Sequence, residues 1–539
     1  MVDIKEVLEK QNTFRGLFNR MDDDRDLYYL SKYVMRDKDN RDVPGVINLT
    51  LNIPAVFAGH VMSALGAASQ QVVVEGEGIS DEQKGQVRGF VNAAVESTDL
   101  RLMRQAKPRL QPFFTEQVCI RGSAAARVCW RMENGVLIAD TEPVDTRHFV
   151  YQTGRGGLKW AAQRMTLSRA EMEDQFPAAS SSLRDRKDYE IWDVWDDEAN
   201  VVYHGNTKLT EQENTYGYPP FIFQAVPLGS MLQDRESFEH RGESIFFLIR
   251  DLIPEFNRIA SIYQTLNMAS FKGAKTWHSK SGPSAEPPDD VDELGNITSA
   301  DIGGGVEMVP SADIKEAGRL LHGLLDELIQ AGSQSRLDYG NIPFPLSGVA
   351  MIELGEKGDQ IFLPRLGAVG LIFQQLADMV IDQVRGLDGP IELGRKGHKR
   401  RWEVSALEGE YGIEYRYTVR STKTENARFS MAAAAEKYLD EDTILRDLIR
   451  AEDPEKIRRK RRVDLAEKTI PKVALYREAR AAIDEGETVL ASIIGEELGF
   501  SIEEIGTGRV AGPRQGPPET PEDIPLLPQG PAGGGVGRK

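Results

Sequence analysis

The stretch "HVMSALGAASQQVVVEG", His60 to Gly76, changes character in its middle. Up to Ala68, small and apolar residues recur as they do on a buried helix. After Gln70-Gln71, three valines lead into acid and glycine, the composition of a strand and its end. The stretch therefore predicts a helix running into a strand early in the chain. Around it the first third reads as helical: "VNAAVESTDLRLMRQAKPRLQPFFTEQVCIRGSAAA" has helical spacing. In "RVCWRMENGVLIADTEPV", Asn134-Gly135 between two β-rich runs is a hairpin signal. "YEIWDVWDDEANVVYHG" repeats strand, polar turn, strand, with Asp196-Asp197 at the turn, and "RWEVSALEGEYGIEYRYTVRS" adds β-structure much later.

The 539 residues suffice for about three or four domains or one elongated subunit of several parts. With 40% hydrophobic and 28% charged residues, most of the chain should fold. Formal charge is −18, which argues against holding nucleic acid by counterion release but leaves room for surrounding it without a grip. Cys119 and Cys129 lie too close together for a disulfide framework and lack a second ligand pair for zinc, so they read as ordinary semi-buried thiols suited to a reducing compartment. The start, "MVDIKEVLEKQNTF", has no apolar signal core. No stretch approaches the roughly 20 apolar residues of a membrane span; Ile53 to Ala68 comes nearest.

The middle is organised differently. Ile249, Leu252, Phe256, Ile259, Tyr263 and Leu266 fall on one helical face, with Pro254 either kinking that helix or starting a new one. Residues 273–312 are rich in glycine, proline and acid. A second helix follows, its expected packing seam formed by Ile314, Ala317, Leu321, Leu324 and Leu328. The simplest geometry is an antiparallel pair with the excursion at its tip, each helix roughly 30 Å long. "SQSRLDYGNIPFPLSGVAMIELGEKGDQIF" reads as loop, "LGAVGLIFQQLADMVIDQVRG" as a strong helix, and Lys423 to Gly499 as helical and highly charged. From Gly506 the composition is that of a flexible Pro/Gly-rich tail. No fixed-period repeat stands out.

No catalytic motif stands out. There is no phosphate loop, HExxH, CxxC pair or GxSxG. The glycine clusters "GRGG" at Gly154 and "GEKGD" at Gly355 lack a strand–glycine–helix context and read as turns or helix breaks. His60 on an apolar helix reads as a core histidine. "KIRRKRR", Lys456 to Arg462, could touch phosphates through Arg458, Arg459 and Arg461, or form a solvated helix face beside Glu452, Asp453, Glu455 and Asp464; the compensating acids favour the second reading. No cofactor and no metal site is expected.

In this order the parts resemble the portal proteins of tailed bacteriophages. "NLTLNIPAVFAGHVMSALGAASQQVVVEG" resembles the passage from a helix into the wing, and "RGESIFFLIRDLIPEFNRIASIYQTLNMASFKGAKTW" the first stem helix and its approach. "PFPLSGVAMIEL", Pro343 to Leu354, is similar to the stretch joining the tunnel loop to a long helix, and PLSGVA is the sharpest single motif. The resemblance covers roughly residues 30–505. It implies a mixed α+β, mainly α-helical subunit. Its parts would be an N-terminal helical and α/β wing region (1–245), a first stem helix with its approach (246–272), a clip (273–312) and a second stem helix (313–332). A tunnel loop and junction (333–358), the long helix and β segment of the wing (359–422), a helical crown (423–505) and the tail (506–539) would follow.

The resemblance further implies a ring of twelve copies around double-stranded DNA, met by a terminase motor, a tail adaptor, and the major capsid and scaffolding proteins. It would sit at the portal vertex of the virion, and in host cytoplasm during assembly, without a membrane and without enzymatic activity. In the tunnel loop, Asp338, Tyr339 and Asn341 are candidates for passing contacts with DNA. In the clip, Asp289, Asp290, Asp292 and Glu293 follow Pro287-Pro288 and are expected at the tunnel exit or a docking surface, with a solvated turn as the alternative. A bore that lets DNA slide should not collect phosphate contacts, and a ring repeats every charge around its axis, which gives the acidity a reason. The rival readings are another head–tail connector or minor capsid protein and, from a different class, an enzyme whose carboxylates converge in the fold, with or without a metal.

Overall fold

The passage from helix to strand lies where the sequence puts it. In the computed structural model, α3 (Ile53–Gly66) buries Phe57, Val61 and Leu65, spaced by four, and Pro54 in its first turn has the fixed φ that position favours. Two residues later β1 (Ser69–Glu75) begins, burying Val72 and Val74 while Gln70 and Glu75 face solvent. Its partner is β14 (Gly412–Thr418), antiparallel from Ser69↔Thr418 to Glu75↔Gly412. A strand from the start of the chain is thus closed by one from near residue 415. The structure describes residues 2–133, 136–177, 187–232, 234–271, 275–278, 305–308, 316–333, 348–387, 391–395, 398–418, 422–449, 454–485 and 487–507. They fall into two units, Met1–Ser430 and Met431–Lys539.

In the first unit, α1 (Ile4–Thr13), α2 (Arg15–Tyr28), α4 (Asp81–Arg104) and α5 (Leu110–Ile120) join α3 around two sheets. The smaller sheet has the order β3-β2-β9, formed by β2 (Ser123–Glu133), β3 (Val136–Val144) and β9 (Phe221–Ala225). The β2–β3 register runs from Ala125↔Val144 to Glu133↔Val136, and the turn pair Asn134-Gly135 lies outside the described residues. The larger sheet is a meander of β4 (Phe149–Gly154), β5 (Gly157–Ser168), β6 (Asp188–Asp196), β7 (Ala199–His204) and β8 (Thr207–Glu213). Asp196 makes the β6–β7 turn, its carboxylate accepting from the amides of Glu198 at 3.0 Å and Ala199 at 2.7 Å. A short helix α6 (Arg169–Gln175) carries a Ser168/Glu171 capping box. Phe14 closes the core beneath the meander, against Phe18, Tyr151 and Phe238.

Three helices follow: α7 (Leu252–Phe271), α8 (Glu316–Gly332) and α9 (Gly348–Arg385). Pro254 resolves as a first-turn residue that starts α7, where its missing N–H is harmless. Between α7 and α8, β10 (Lys275–His278) pairs antiparallel with β11 (Gly305–Met308). The sequence reading placed a junction up to residue 358 and a helix break at "GEKGD"; α9 instead runs uninterrupted from Gly348 through Gly355 and Gly358. A helical glycine costs only about 1 kcal/mol, and flanking helix formers outweigh that in so long a helix.

α9 is the spine of the first unit. Phe373, fully buried, meets Phe114 of α5 at 5.4 Å and Tyr415 of β14 at 5.5 Å, and such burial contributes about 2–3 kcal/mol per side chain. Gly370 lets the helix approach β14, since a Cβ there would lie 2.9 Å from the Tyr415 carbonyl. The Gln383 amide completes β2, accepting from Trp130 N at 2.8 Å and donating to Val128 O at 2.7 Å. Both cysteines are free and buried in this unit, their thiols pushed up to about 12 by burial. A hairpin of β12 (Ile391–Arg395) and β13 (His398–Trp402) lies on α4, with Trp402 edge-on to Phe90 at 6.0 Å.

α10 (Thr422–Ala435) leads to the second unit, which holds α11 (Pro454–Thr469), α12 (Pro471–Glu485), α13 (Thr488–Leu498) and α14 (Ile502–Thr507). Its core is small: Ala479, Ile494, Leu498 and Ile505, with Phe500 against Tyr476 at 6.1 Å. Among the described residues no helix is long and apolar enough to cross a membrane.

One crossing in the first unit admits only glycine. Gly122 (φ +74°) and Gly242 (φ +68°) bring two backbone segments together, and a Cβ on Gly122 would lie 1.7 Å from the Gly242 carbonyl oxygen. Gly122→Ala should therefore cost on the order of 3 kcal/mol or more, since both strain and clash act, read as a fall in the thermal midpoint. Gly156→Ala, with nothing within 4 Å, is the control and should change little.

Candidate functional site

The feature with most built structure around it is the α7–α8 pair. Its start is fixed by a buried ion cluster. Arg250, just ahead of α7, donates to both Asp24 oxygens at 2.7 and 2.9 Å and to Glu243 at 2.6 Å. Arg20 lies 3.6 Å from Glu243 and gives Nη1 to Glu239 O at 2.8 Å and Nη2 to Gly242 O at 2.9 Å. Asp24 and Glu243 have no solvent exposure at all. Two cations and two anions balance, as burial demands. Burial raises the Asp24 carboxyl, partly opposed by Arg250 and Arg20. The two guanidiniums diverge: burial lowers Arg20, whereas the close contacts with Asp24 and Glu243 outweigh burial and raise Arg250. The difference follows from geometry, because Arg20 points most of its donors at neutral carbonyls.

One flank of α7 holds an extended segment by a ladder of side chains. Leu51 N donates to Asn257 Oδ1 at 3.0 Å, Leu49 N to Ser261 Oγ at 2.9 Å and Ile47 N to Thr265 Oγ1 at 3.0 Å. Alternate residues of an extended chain advance about 6.6 Å and four helical residues about 6.0 Å, so the two periods nearly match. The sequence signal, a polar residue at every fourth position of an apolar helix, was there to read; its partner lies some two hundred residues away.

The other flank packs on α8. His322 sits between Phe256, 4.9 Å away, and Tyr263, 5.8 Å away, and Leu325 and Ile329 are buried. Leu321, Leu324 and Leu328, expected as the seam, are instead 41–52% exposed. The contact has turned along the helix by roughly one residue because it follows the His322 ring into the gap between Phe256 and Tyr263.

The residues singled out by sequence are distributed as follows. Asp289, Asp290, Asp292 and Glu293, and likewise Asp338, Tyr339 and Asn341, lie outside the described residues. Arg458, Arg459 and Arg461 lie on α11 of the second unit. Arg461 donates to Glu441 at 2.5 Å, both exposed, an arrangement that adds little stability. Arg458 is half-buried and engaged. Among the described residues no three His, Cys, Asp or Glu side chains gather as metal ligands. A small cavity between α4, β2 and α9, lined by Phe90, Trp130, Leu376 and Val380, has Thr98 as its one hydroxyl, which leaves no set of converging polar groups to orient a substrate.

Asp24→Ala should lower unfolding free energy by about 3–5 kcal/mol in denaturant titration, because Arg250 loses its bidentate partner in a buried site. Asp24→Leu combined with Arg250→Met keeps Arg20 and Glu243 as a pair and should recover much of that loss. Equal stability of Asp24→Ala and the parent chain would contradict the assignment.

No protein-family model matches the chain, and no curated protein matches it. Among solved structures the chain is similar to one from the neck of an empty gene transfer agent (GTA) particle computed with C6 symmetry. Identity is 9% and the TM-score 0.40, over 73% of this chain and 89% of that one. It is also similar to one from the virion of a native GTA particle, with 10% identity and a TM-score of 0.37 over 74% of this chain and 89% of that one.

Proposed function

We propose that the chain is a portal subunit. Copies of it would form a ring-shaped channel at one capsid vertex, through which double-stranded DNA is packaged and ejected and to which terminase and tail adaptor dock. The observation that carries this reading is the layout of the middle of the chain. Two helices, α7 and α8, pack side by side, the acidic, proline-rich stretch between them is tied at its neck by the β10–β11 ladder, and the long α9 follows. Such a pair, braced by the ion cluster on one end and the Asn257/Ser261/Thr265 ladder on one flank, is suited to be a wall element under load.

The role is that of a passive conduit, not an enzyme. A twelve-fold ring would repeat the formal charge of −18 on every copy, and that acidity keeps contacts with sliding phosphates transient. Asp289, Asp290, Asp292 and Glu293 would face the tunnel exit or docking surface, and Asp338, Tyr339 and Asn341 would touch DNA in passing.

Two packaging experiments test the reading. Deleting Leu337 to Asn341 should leave assembly intact and reduce packaging or retention of DNA; unchanged packaging would remove that segment from the mechanism. Changing the four acids to lysine should leave assembly intact but slow DNA passage, more so at low salt, where screening is weak. Full-rate packaging by the lysine variant at low salt would show that these acids do not act on DNA.

A further inference from the structure

α8 is apolar around more of its circumference than its own chain covers. Leu325 and Ile329 are buried against α7, but Leu320 is 77%, Leu324 52%, Leu328 43% and Leu321 41% exposed. At about 100° per residue these four leucines span an arc of roughly 100°, directly beside the buried arc. Arg319, Asp326, Glu327 and Gln330 occupy the remainder. A contiguous exposed apolar face of this kind marks an interaction surface.

The chain itself offers a counterpart. On α9, Leu363 is 57% and Leu371 44% exposed, and midway between them a Cβ on Gly367 would meet nothing within 4 Å. Leucine, glycine and leucine at spacing four make a notch on one helical face, with the glycine as its floor. The leucine face of α8 is the matching set of knobs, and knobs of one helix seating in the gaps of another is the usual mode of helix packing. The two faces differ in form and belong to different helices. Contact between them across copies is therefore head-to-tail, the kind of contact that closes into a ring when the rotation allows.

We propose that the exposed leucine face of α8 packs into the Leu363–Gly367–Leu371 notch of α9 on a neighbouring copy of the same chain. This rests on the ring reading above and names the surfaces that would build the ring.

The test uses the full chain, with assembly followed by native mass spectrometry and light scattering. Leu324→Glu with Leu328→Glu, and separately Gly367→Trp, should each raise the concentration for half-assembly by about 100-fold or more, since charge or bulk would enter an apolar contact. Thermal midpoints should hold, because these positions are exposed. With Leu324→Cys and Gly367→Cys in one chain, oxidation should give a ladder of covalent multimers that neither single cysteine gives. The buried Cys119 and Cys129 contribute little background. If the parent chain assembles and the glutamate variant assembles equally well, the inference is overturned and the ring reading stands. Loss of assembly in the glutamate variant but not in Gly367→Trp, with no cysteine ladder, overturns the pairing with α9. A parent chain that stays monomeric at every concentration overturns the ring reading, and this inference with it.

Discussion

The cluster of Arg20, Asp24, Glu243 and Arg250 is the constraint on which the arrangement of the first unit depends. It joins α2 to the segment that enters α7, and Arg20 also reaches the carbonyl of Arg121 at the α5–β2 turn. Four charges taken out of water are tolerable only if their geometry is kept, so the cluster acts less as a source of stability than as a specifier of position. The glycine crossing at Gly122 and Gly242 lies on the same turn and tightens the same constraint. Because α7 begins immediately beyond Arg250, the direction of the helix pair is set there.

From that fixed start the middle of the chain is braced in a graded way. The Asn257, Ser261 and Thr265 ladder ties α7 to residues 47–51 over three turns of helix, and His322 locks α8 against it between two aromatic rings. On the far side, α9 gathers α5, β2 and β14 into one core, so that β1 near the beginning of the chain and β14 near residue 415 become neighbours. A rigid body with one projecting helix pair is what a channel wall requires, since force applied along the pair must pass into the core without local unfolding.

Much of this was legible in the sequence, and the exceptions share a cause. The helix-to-strand passage at Ala68, the β2–β3 pairing and the Asp196 turn were readable because their signals are local: alternation, a turn pair, an aspartate at a corner. The start of α9 was missed because glycines in "GEKGD" count against a helix only when nothing longer carries it. On α8 the periodicity correctly marked an apolar helix but misassigned its face: leucines at 321, 324 and 328 and the pair at 325 and 329 satisfy the same period, and only the position of His322 between Phe256 and Tyr263 decides between them. The ion cluster and the side-chain ladder were invisible for a different reason. Each joins residues roughly two hundred positions apart, and no pattern within either segment names its partner.

The central claim, that identical copies surround a channel built from the α7–α8 pair, is tested most directly by electron microscopy of the purified full-length chain, averaged to the point where helices are visible. The account predicts closed rings with a central hole, with one pair of packed helices per copy at its wall. Monodisperse monomers across concentrations and salts, or closed assemblies in which the helix pair lies on the outer rim, would contradict it.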